Sequence, residues 1–252
     1  MNVLAPARRG AFWWRLPGAA WVAVAAVLAL GALVVAAVAI QVDAGLHPGG
    51  SFDSALDWQP GRAWPQVWRP WTSAWVHWSG AHLLVNLLGA AVVAGVGWRA
   101  RASARAALAW FLAWPLTQML LALPADLPGH GLHAAHPMAH YGGLSGVLHA
   151  GVVVLGLALA LPDSLAARGR KEDGLAPLTP TEATRHRIVG LGLVAGTLAK
   201  VLLEAPWDLA LRPSALLGID VAPLAHACGV AAGLIGWAVV AAARLGVRST
   251  PT

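Results

Sequence analysis

The sequence predicts an all-α integral membrane protein built as a bundle of six transmembrane helices. Hydrophobic residues make up 58% of the 252 residues and charged residues only 11%, whereas a soluble domain carries roughly 25% charged residues. The apolar residues also fall into six segments of about the length that crosses a bilayer as a helix. These segments lie at residues 19–40, 81–98, 104–124, 143–161, 188–205 and 221–243.

The segments predict one membrane domain, residues 19–243, between a short N-terminal segment, residues 1–18, and a tail, residues 244–252. Three arginines before the first apolar run resemble the start of a signal peptide. The run itself is long enough to span a bilayer, so we interpret it as an uncleaved first helix.

The basic residues orient the predicted helices. Thirteen of the 17 Lys and Arg residues lie in the N-terminal segment, the second-to-third and fourth-to-fifth connections, and the tail. Because Lys and Arg favour the cytoplasmic side, both termini are predicted to be cytoplasmic and the odd-numbered connections to face outward. Basic residues dispersed in this way do not form the single basic face that nucleic-acid binding requires, despite the net charge of +6.

The connections differ in character. The first, residues 41–80, is predicted to lie in the membrane interface because amphipathic indoles settle at the headgroup level; it carries Trp58, Trp64, Trp68, Trp71, Trp75 and Trp78. Residues 162–187, rich in Pro and Gly, predict a polar cytoplasmic loop.

Gly229 and Gly233 form a GxxxG pattern that predicts close helix packing. With Cys228 as the single cysteine, neither an intrachain disulfide nor a cysteine metal site is expected.

Four polar side chains are predicted to lie at one depth in the membrane. The second, fourth and sixth segments all enter from the outer face, and their first turns carry His82 with Asn86, Ser145, and His226. At 1.5 Å per residue these groups lie within about 10 Å of one level. A serine hydroxyl is a weak nucleophile until a base takes its proton, and His226 is the natural base at that level.

The surroundings of Ser145 suit an oxyanion site. Gly143 and Gly146 permit a tight backbone at the start of the helix. Unpaired amides at a helix N-terminus stabilise negative charge. His82 and Asn86, four residues apart on one helix face, are placed to donate further hydrogen bonds. We also expect a polar cavity, open to the outside, between the second, fourth, fifth and sixth helices, because hydrolysis needs water at Ser145.

The motifs together resemble the signature set of rhomboid intramembrane serine proteases. They occur in order over residues 60–240, as Gln66-Val67-Trp68-Arg69, His82-xxx-Asn86, Gly143-Leu144-Ser145-Gly146 and Ala225-His226-xx-Gly229-xxx-Gly233. The resemblance implies a six-helix bundle in which Ser145 is the nucleophile and His226 the general base, a dyad without a third carboxylate.

The same resemblance assigns roles to several more residues. It implies that His82, Asn86 and the amides of Leu144 and Ser145 line the oxyanion hole. It also implies that Trp68 and Arg69 belong to a loop partly embedded in the outer leaflet.

Three residues resemble the rhombosortase branch in particular. His149 stands where many rhomboids have a tyrosine, within Leu-Ser-Gly-Val-Leu-His, and the fifth segment carries Lys200 and Glu204. This likeness implies, as substrate, a protein anchored by a transmembrane or C-terminal GlyGly-CTERM tail, with membrane lipids as the surroundings. Neither a cofactor, a metal nor a nucleic acid is expected. The implied location is the bacterial cytoplasmic membrane, with the active site facing the outside or the periplasm.

The sequence leaves the roles of three polar residues open. His149, four residues after Ser145, could be the base instead of His226. Lys200 and Glu204 form a simple ion pair, recognise the substrate tail, or bind an incoming amine. The acyl-enzyme is resolved by water or by an amine.

The sequence also leaves the class of protein open. The histidines of the third outer loop are either polar loop residues or metal ligands; they are His130, His133, His136 and His140. The rival functions are a catalytically inactive rhomboid relative that binds membrane clients, and a His-rich metal-ion transporter.

Overall fold

A computed structural model describes residues 16–41, 53–59, 62, 65–125, 138–161, 176–208 and 211–243. The helices within these ranges are α1 (Ala19–Gln41), α2 (Asp53–Leu56), α3 (Arg69–Thr72), α4 (Gly80–Arg99), α5 (Ala104–Ala125), α6 (Ser145–Ala160), α7 (Pro180–Leu203) and α8 (Pro223–Ala242). A 3-10 turn, Ser73–Trp75, follows α3, and another, Pro206–Asp208, follows α7. The predictions for both termini, Trp64 and the histidines at 130, 133 and 136 lie outside the described residues.

Five of the described helices are long and apolar enough to cross a membrane, so the protein is an integral membrane protein. These are α1, α4, α5, α7 and α8. The fourth of the six predicted segments forms α6, which has only 16 residues. At 1.5 Å per residue α6 is about 24 Å long, less than the roughly 30 Å of a hydrocarbon core.

Helix α6 lies at the centre of the bundle. Twelve of its 16 residues are buried, and it packs against α5, α7 and α8. Because protein surrounds this helix, its length is not set by the thickness of the lipid. Its N-terminus, at Ser145, therefore lies inside the protein.

Small residues bring α8 against α6, as the GxxxG pattern predicted. A Cβ on Gly229 would overlap the carbonyl oxygen of Gly146, and one on Gly233 would lie 2.8 Å from that of Ala150. Only glycine permits this approach of two helix backbones. The prediction of close packing at these glycines is confirmed.

Helix α7 begins at Pro180, well before the predicted start at residue 188. Thr179 caps the helix and forms a capping box with Glu182, while Pro180 occupies the first turn. Proline is well tolerated there because the first helical amides have no intrahelical partner. The prediction of a loop is therefore wrong for residues 180–187; residues 162–175 lie outside the described residues.

The described tryptophans of the first connection divide into two groups. Trp58 is fully buried, and Trp71 and Trp75 each pack against Trp114 of α5 with ring centroids 5.4 Å apart. Trp68 and Trp78 are 48% and 43% exposed. The indole of Trp58 is therefore part of a protein core, while the interfacial position of this connection stays a prediction.

A short hairpin that the sequence did not predict precedes α8. Strand β1 (Arg212–Ser214) pairs antiparallel with β2 (Ile219–Val221). The hydroxyl of Ser79, the N-cap of α4, donates to the carbonyl of Leu217 in the turn. The hairpin is thereby attached to the end of α4 that carries His82 and Asn86.

Candidate active site

The structure brings Ser145 and His226 together. Ser145 is the first residue of α6 and His226 lies in the first turn of α8. Ser145 Oγ is 3.0 Å from His226 Nε2, which is hydrogen-bonding distance for a nucleophile and its base. The contact depends on the close approach of the two helices at Gly146 and Gly229.

A carboxylate occupies the other side of the His226 ring. Glu204 Oε2 is 2.7 Å from His226 Nδ1, and Glu204 Oε1 is 2.8 Å from Lys200 Nζ. The predicted Lys200–Glu204 ion pair is therefore present. The structure differs from the implied dyad, because Glu204 stands where a third carboxylate would be.

Two opposing effects act on the Glu204 carboxyl. Burial favours its neutral form, but hydrogen bonds from His226 and Lys200 outweigh burial and lower the pKa of Glu204 to about 2. Glu204 is therefore an anion at physiological pH. Lys200 Nζ also lies 3.0 Å from His226 Nδ1. We assign the Nδ1 proton to the bond with Glu204, because the carboxylate can only accept and its 2.7 Å contact is the shorter of the two.

His149 supports the His226 ring rather than facing the Ser145 hydroxyl. The two imidazoles are stacked, with centroids 4.4 Å apart and planes 20° apart. His149 Nδ1 is 2.6 Å from the backbone carbonyl oxygen of Ser145 and donates to it. Of the two histidines that the sequence left open as base, the geometry favours His226.

The predicted oxyanion groups meet at the entrance to α6. Gly143 has φ +135, and a Cβ there would lie 2.7 Å from His82 Cε1 and 3.9 Å from Asn86 Nδ2. Only glycine therefore fits between these side chains and the backbone that leads to Leu144 and Ser145. The first amides of a helix have no intrahelical partner, and amides in this position can stabilise an oxyanion.

Sequence reasoning missed His77, which holds the amide of Asn86. His77 Nδ1 donates to the carbonyl of Trp75 at 3.1 Å, and His77 Nε2 accepts from Asn86 Nδ2 at 3.1 Å. Burial lowers the pKa of His77 to about 4, although the Trp75 hydrogen bond opposes this. The imidazole is therefore neutral at physiological pH and can act as an acceptor.

Tyr141 was missed as well. Its backbone pairs with Trp58 as an isolated antiparallel bridge, and its buried phenol lies beside Ser145 and Gly146. Burial raises the pKa of Tyr141 to about 12. No periodic pattern marks this residue, and its proximity to Ser145 depends on pairing with a distant loop.

Arg69, which the resemblance implies to belong to a loop partly embedded in the outer leaflet, makes a buried contact within the protein. Arg69 is only 3% exposed, and its guanidinium pairs with Asp57 Oδ1 at 2.9 Å. His140 bonds the second oxygen of Asp57. This network attaches the first connection to the segment that enters α6, while Trp68 donates to the carbonyl of Ala55.

A cavity of about 1160 Å³ lies between α4, α6, α7, α8 and the hairpin, where the sequence predicted one. Ser145, His226 and Glu204 are among its polar lining residues. Much of the remaining lining is apolar, including Val85 and Val152, so the cavity is less polar than expected. Within the described ranges, no group of three His, Cys, Asp or Glu is placed to hold a metal ion.

No family model matches the chain, and no curated protein matches it. The chemistry of the site is therefore inferred from its own geometry. A serine hydroxyl bonded to an imidazole, which is bonded in turn to a carboxylate, is an arrangement for nucleophilic acyl transfer.

Proposed function

We propose that this protein is an intramembrane serine endopeptidase of the rhomboid type. The observation that carries the proposal is the 3.0 Å hydrogen bond between Ser145 Oγ and His226 Nε2 inside a cavity enclosed by membrane helices. Gly143 and the side chains of His82 and Asn86 beside the same serine support it, because acyl transfer needs donors at the oxyanion.

The proposed reaction uses the atoms as they lie. Ser145 Oγ attacks a peptide carbonyl while His226 Nε2 takes the hydroxyl proton. The carbonyl oxygen becomes an oxyanion that accepts hydrogen bonds from His82, Asn86 and the first amides of α6. His226 then gives its proton to the leaving amine, and the acyl-enzyme remains on Ser145. Water, activated by His226, releases the acid; an amine in place of water gives a transfer product.

The substrate we propose is an exported protein held in the membrane by a C-terminal helix. The apolar part of the cavity, with Val85 and Val152, suits an apolar anchor that enters from the lipid. The likeness of His149, Lys200 and Glu204 to the rhombosortase branch supports a GlyGly-CTERM tail as that anchor. The six-helix arrangement, a bacterial cytoplasmic membrane and an outward-facing site belong to the same proposal.

Labelling by a fluorophosphonate probe tests the nucleophile. The purified wild-type protein in detergent should be labelled, whereas Ser145→Ala and His226→Ala should lose labelling by about 1000-fold or more. His149→Phe keeps a ring against His226 and loses one hydrogen bond, so labelling should fall by about tenfold or less. Loss of labelling in His149→Phe equal to that in His226→Ala would instead make His149 the base.

A serine elsewhere in the cavity provides the matched control. Ser214 lies in β1 and lines the same cavity, and Ser214→Ala should label like the wild type. Equal labelling of wild type, Ser145→Ala and His226→Ala would contradict the proposal.

Cleavage of a membrane reporter ending in a Gly-Gly motif, an apolar helix and a basic end then tests the substrate class.

A further inference from the structure

Glu204 touches His226 on the side opposite the nucleophile, and the proposed reaction does not yet use it. We propose that Glu204 is a positioning residue that turns the Ser145–His226 pair into a triad, and that Lys200 holds the Glu204 carboxylate in place. This inference deepens the proposed function and rests on it.

The division of the carboxylate oxygens carries the argument. Glu204 Oε2 is 2.7 Å from His226 Nδ1, and Oε1 is 2.8 Å from Lys200 Nζ. A simple ion pair between Lys200 and Glu204 would not require a contact with His226. Because one oxygen of Glu204 binds His226 and the other binds Lys200, the plane of the carboxylate is fixed. The direction of the hydrogen bond at Nδ1 is then fixed as well.

The chain positions Glu204 at a defined point. Glu204 is the C-cap of α7, and its amide donates to the carbonyl oxygens of Lys200 and Val201. Lys200 and Glu204, four residues apart, share one face of the helix, and both line the cavity. Ala205 follows with φ +48 and ends the helix there. The carboxylate is thus held at the end of a helix and close to the His226 ring.

The consequence is a choice of tautomer. With the proton on Nδ1 donated to Glu204, Nε2 has a lone pair that faces Ser145 Oγ. The other tautomer would place a proton on Nε2, which then could not accept the serine proton. When Nε2 takes that proton, the ring becomes an imidazolium, and the Glu204 anion stabilises it while the Nδ1 proton stays on the ring.

Lys200 and Glu204 act on that imidazolium with opposite signs. Removal of the Glu204 charge makes the imidazolium less stable, whereas removal of the Lys200 charge makes it more stable. A purely structural role in the packing of α7 predicts no such opposition. The pH dependence of labelling therefore separates a positioning role from a structural one.

The experiment measures the second-order rate constant for labelling by a rhodamine fluorophosphonate across pH. For Glu204→Gln we expect labelling about 100-fold slower or more, with the acidic limb of the profile moved about one unit lower in pH. For Lys200→Met we expect a loss of about tenfold or less and a limb moved higher in pH. Glu204→Asp, which keeps the charge, should recover part of the Glu204→Gln loss.

Glu182→Gln is the matched control, because Glu182 is an exposed carboxylate at the opposite end of α7, away from the cavity, and glutamine can keep the capping box; it should label like the wild type. Glu204→Gln within about threefold of wild type and with an unmoved limb would overturn the inference. In that case the wild type would still be labelled at Ser145, so the result would contradict the role of Glu204 and not the proposed function.

An NMR measurement distinguishes a failure of the proposed function from a failure of the positioning role of Glu204. In protein with ¹⁵N-histidine, we expect a strongly downfield Nδ1 proton for His226 that disappears in Glu204→Gln. If the wild type shows this proton signal but is not labelled by the probe, the proposed function is wrong and the contact between Glu204 and His226 is still supported. Its absence in the wild type would overturn the positioning role.

Discussion

The role of each histidine in the candidate site depends on which of its ring nitrogens donates a hydrogen bond and which accepts one. His226 accepts at Nε2 and donates at Nδ1, and His149 donates to a backbone carbonyl while its face meets His226. His77 donates to Trp75 and accepts from Asn86. Three histidines thus serve three roles, because a neutral imidazole is both a donor and an acceptor.

His77 should make part of the stability depend on pH. Its pKa lies at about 4 in the folded protein because of burial, against about 6.5 in an unfolded chain. Between these values the unfolded chain binds a proton that the folded protein does not, so stability falls as the pH drops from 6.5 to 4. The contribution is at most about 3 kcal/mol.

His77→Gln keeps an acceptor for Asn86 and removes the titration. Thermal unfolding followed by intrinsic fluorescence should show a larger drop in Tm between neutral pH and about pH 4 for the wild type than for His77→Gln. A Tm difference between the two proteins that is constant over this range would contradict the role of His77.

The candidate site was predictable at some residues and not at others. Ser145, His226, His82 and Asn86 could be predicted because charge counting and segment edges place them at one depth. For Glu204 the sequence left open an ion pair with Lys200, recognition of the substrate tail or binding of an amine. Its contact with His226 was not predicted, since that contact depends on where α7 ends. His77 and Tyr141 lie in connections, where no helical period marks a residue that contacts the site.

Glycine contacts between elements set the distance between nucleophile and base. Gly229 of α8 meets the carbonyl of Gly146 directly after Ser145, and Gly229 lies one turn beyond His226. In the sequence Gly229 was found in a GxxxG pattern with Gly233, and Gly146 in the motif around Ser145. The start of α7 was not predicted, because Pro180 and the charged residues after it lower the hydropathy that marks a membrane segment.

Gly229→Ala should therefore separate α6 from α8. A Cβ at this position would overlap the Gly146 oxygen, so the helices must move apart. We expect a destabilisation of about 1–3 kcal/mol, measured as a lower Tm, and a loss of fluorophosphonate labelling of about tenfold or more.

Gly192→Ala is the control, because a Cβ at exposed Gly192 of α7 meets no atom within 4 Å. It should leave labelling unchanged and raise helix stability by up to about 1 kcal/mol. Equal losses in the two variants would mean that the approach of α6 and α8 does not position the site.

At the scale of the whole molecule, the sequence predicted an integral membrane protein correctly because composition and segment length are strong signals. Within the described ranges, five helices meet the length and hydropathy of a span. The sequence could not tell that α6 is short and central, because an apolar run next to protein resembles one next to lipid. The hairpin, which is attached to α4 through Ser79 and Leu217, left no signal in the hydropathy.

The charge distribution predicts which end of the bundle faces the cytoplasm. Arg99, Arg101 and Arg105 lie at the connection between α4 and α5, at the end of α4 opposite the hairpin. Lys and Arg favour the cytoplasmic side, so the cavity and the hairpin should face the outside. The prediction can be tested with single cysteines, because Cys228 is the one native cysteine and is buried.

In a Cys228→Ala background, Leu216→Cys on the hairpin turn and Ala104→Cys at the start of α5 place a thiol at exposed positions at the two ends. In intact spheroplasts a membrane-impermeant maleimide should label position 216 and leave position 104 unlabelled. After the membrane is disrupted, both positions should react, which shows that the thiol at 104 is accessible in the protein. Labelling of position 104 alone in intact spheroplasts would reverse the orientation and place the Ser145 end of the cavity on the cytoplasmic side. An anchored exported protein would then not reach Ser145, so this single measurement also bears on the substrate class.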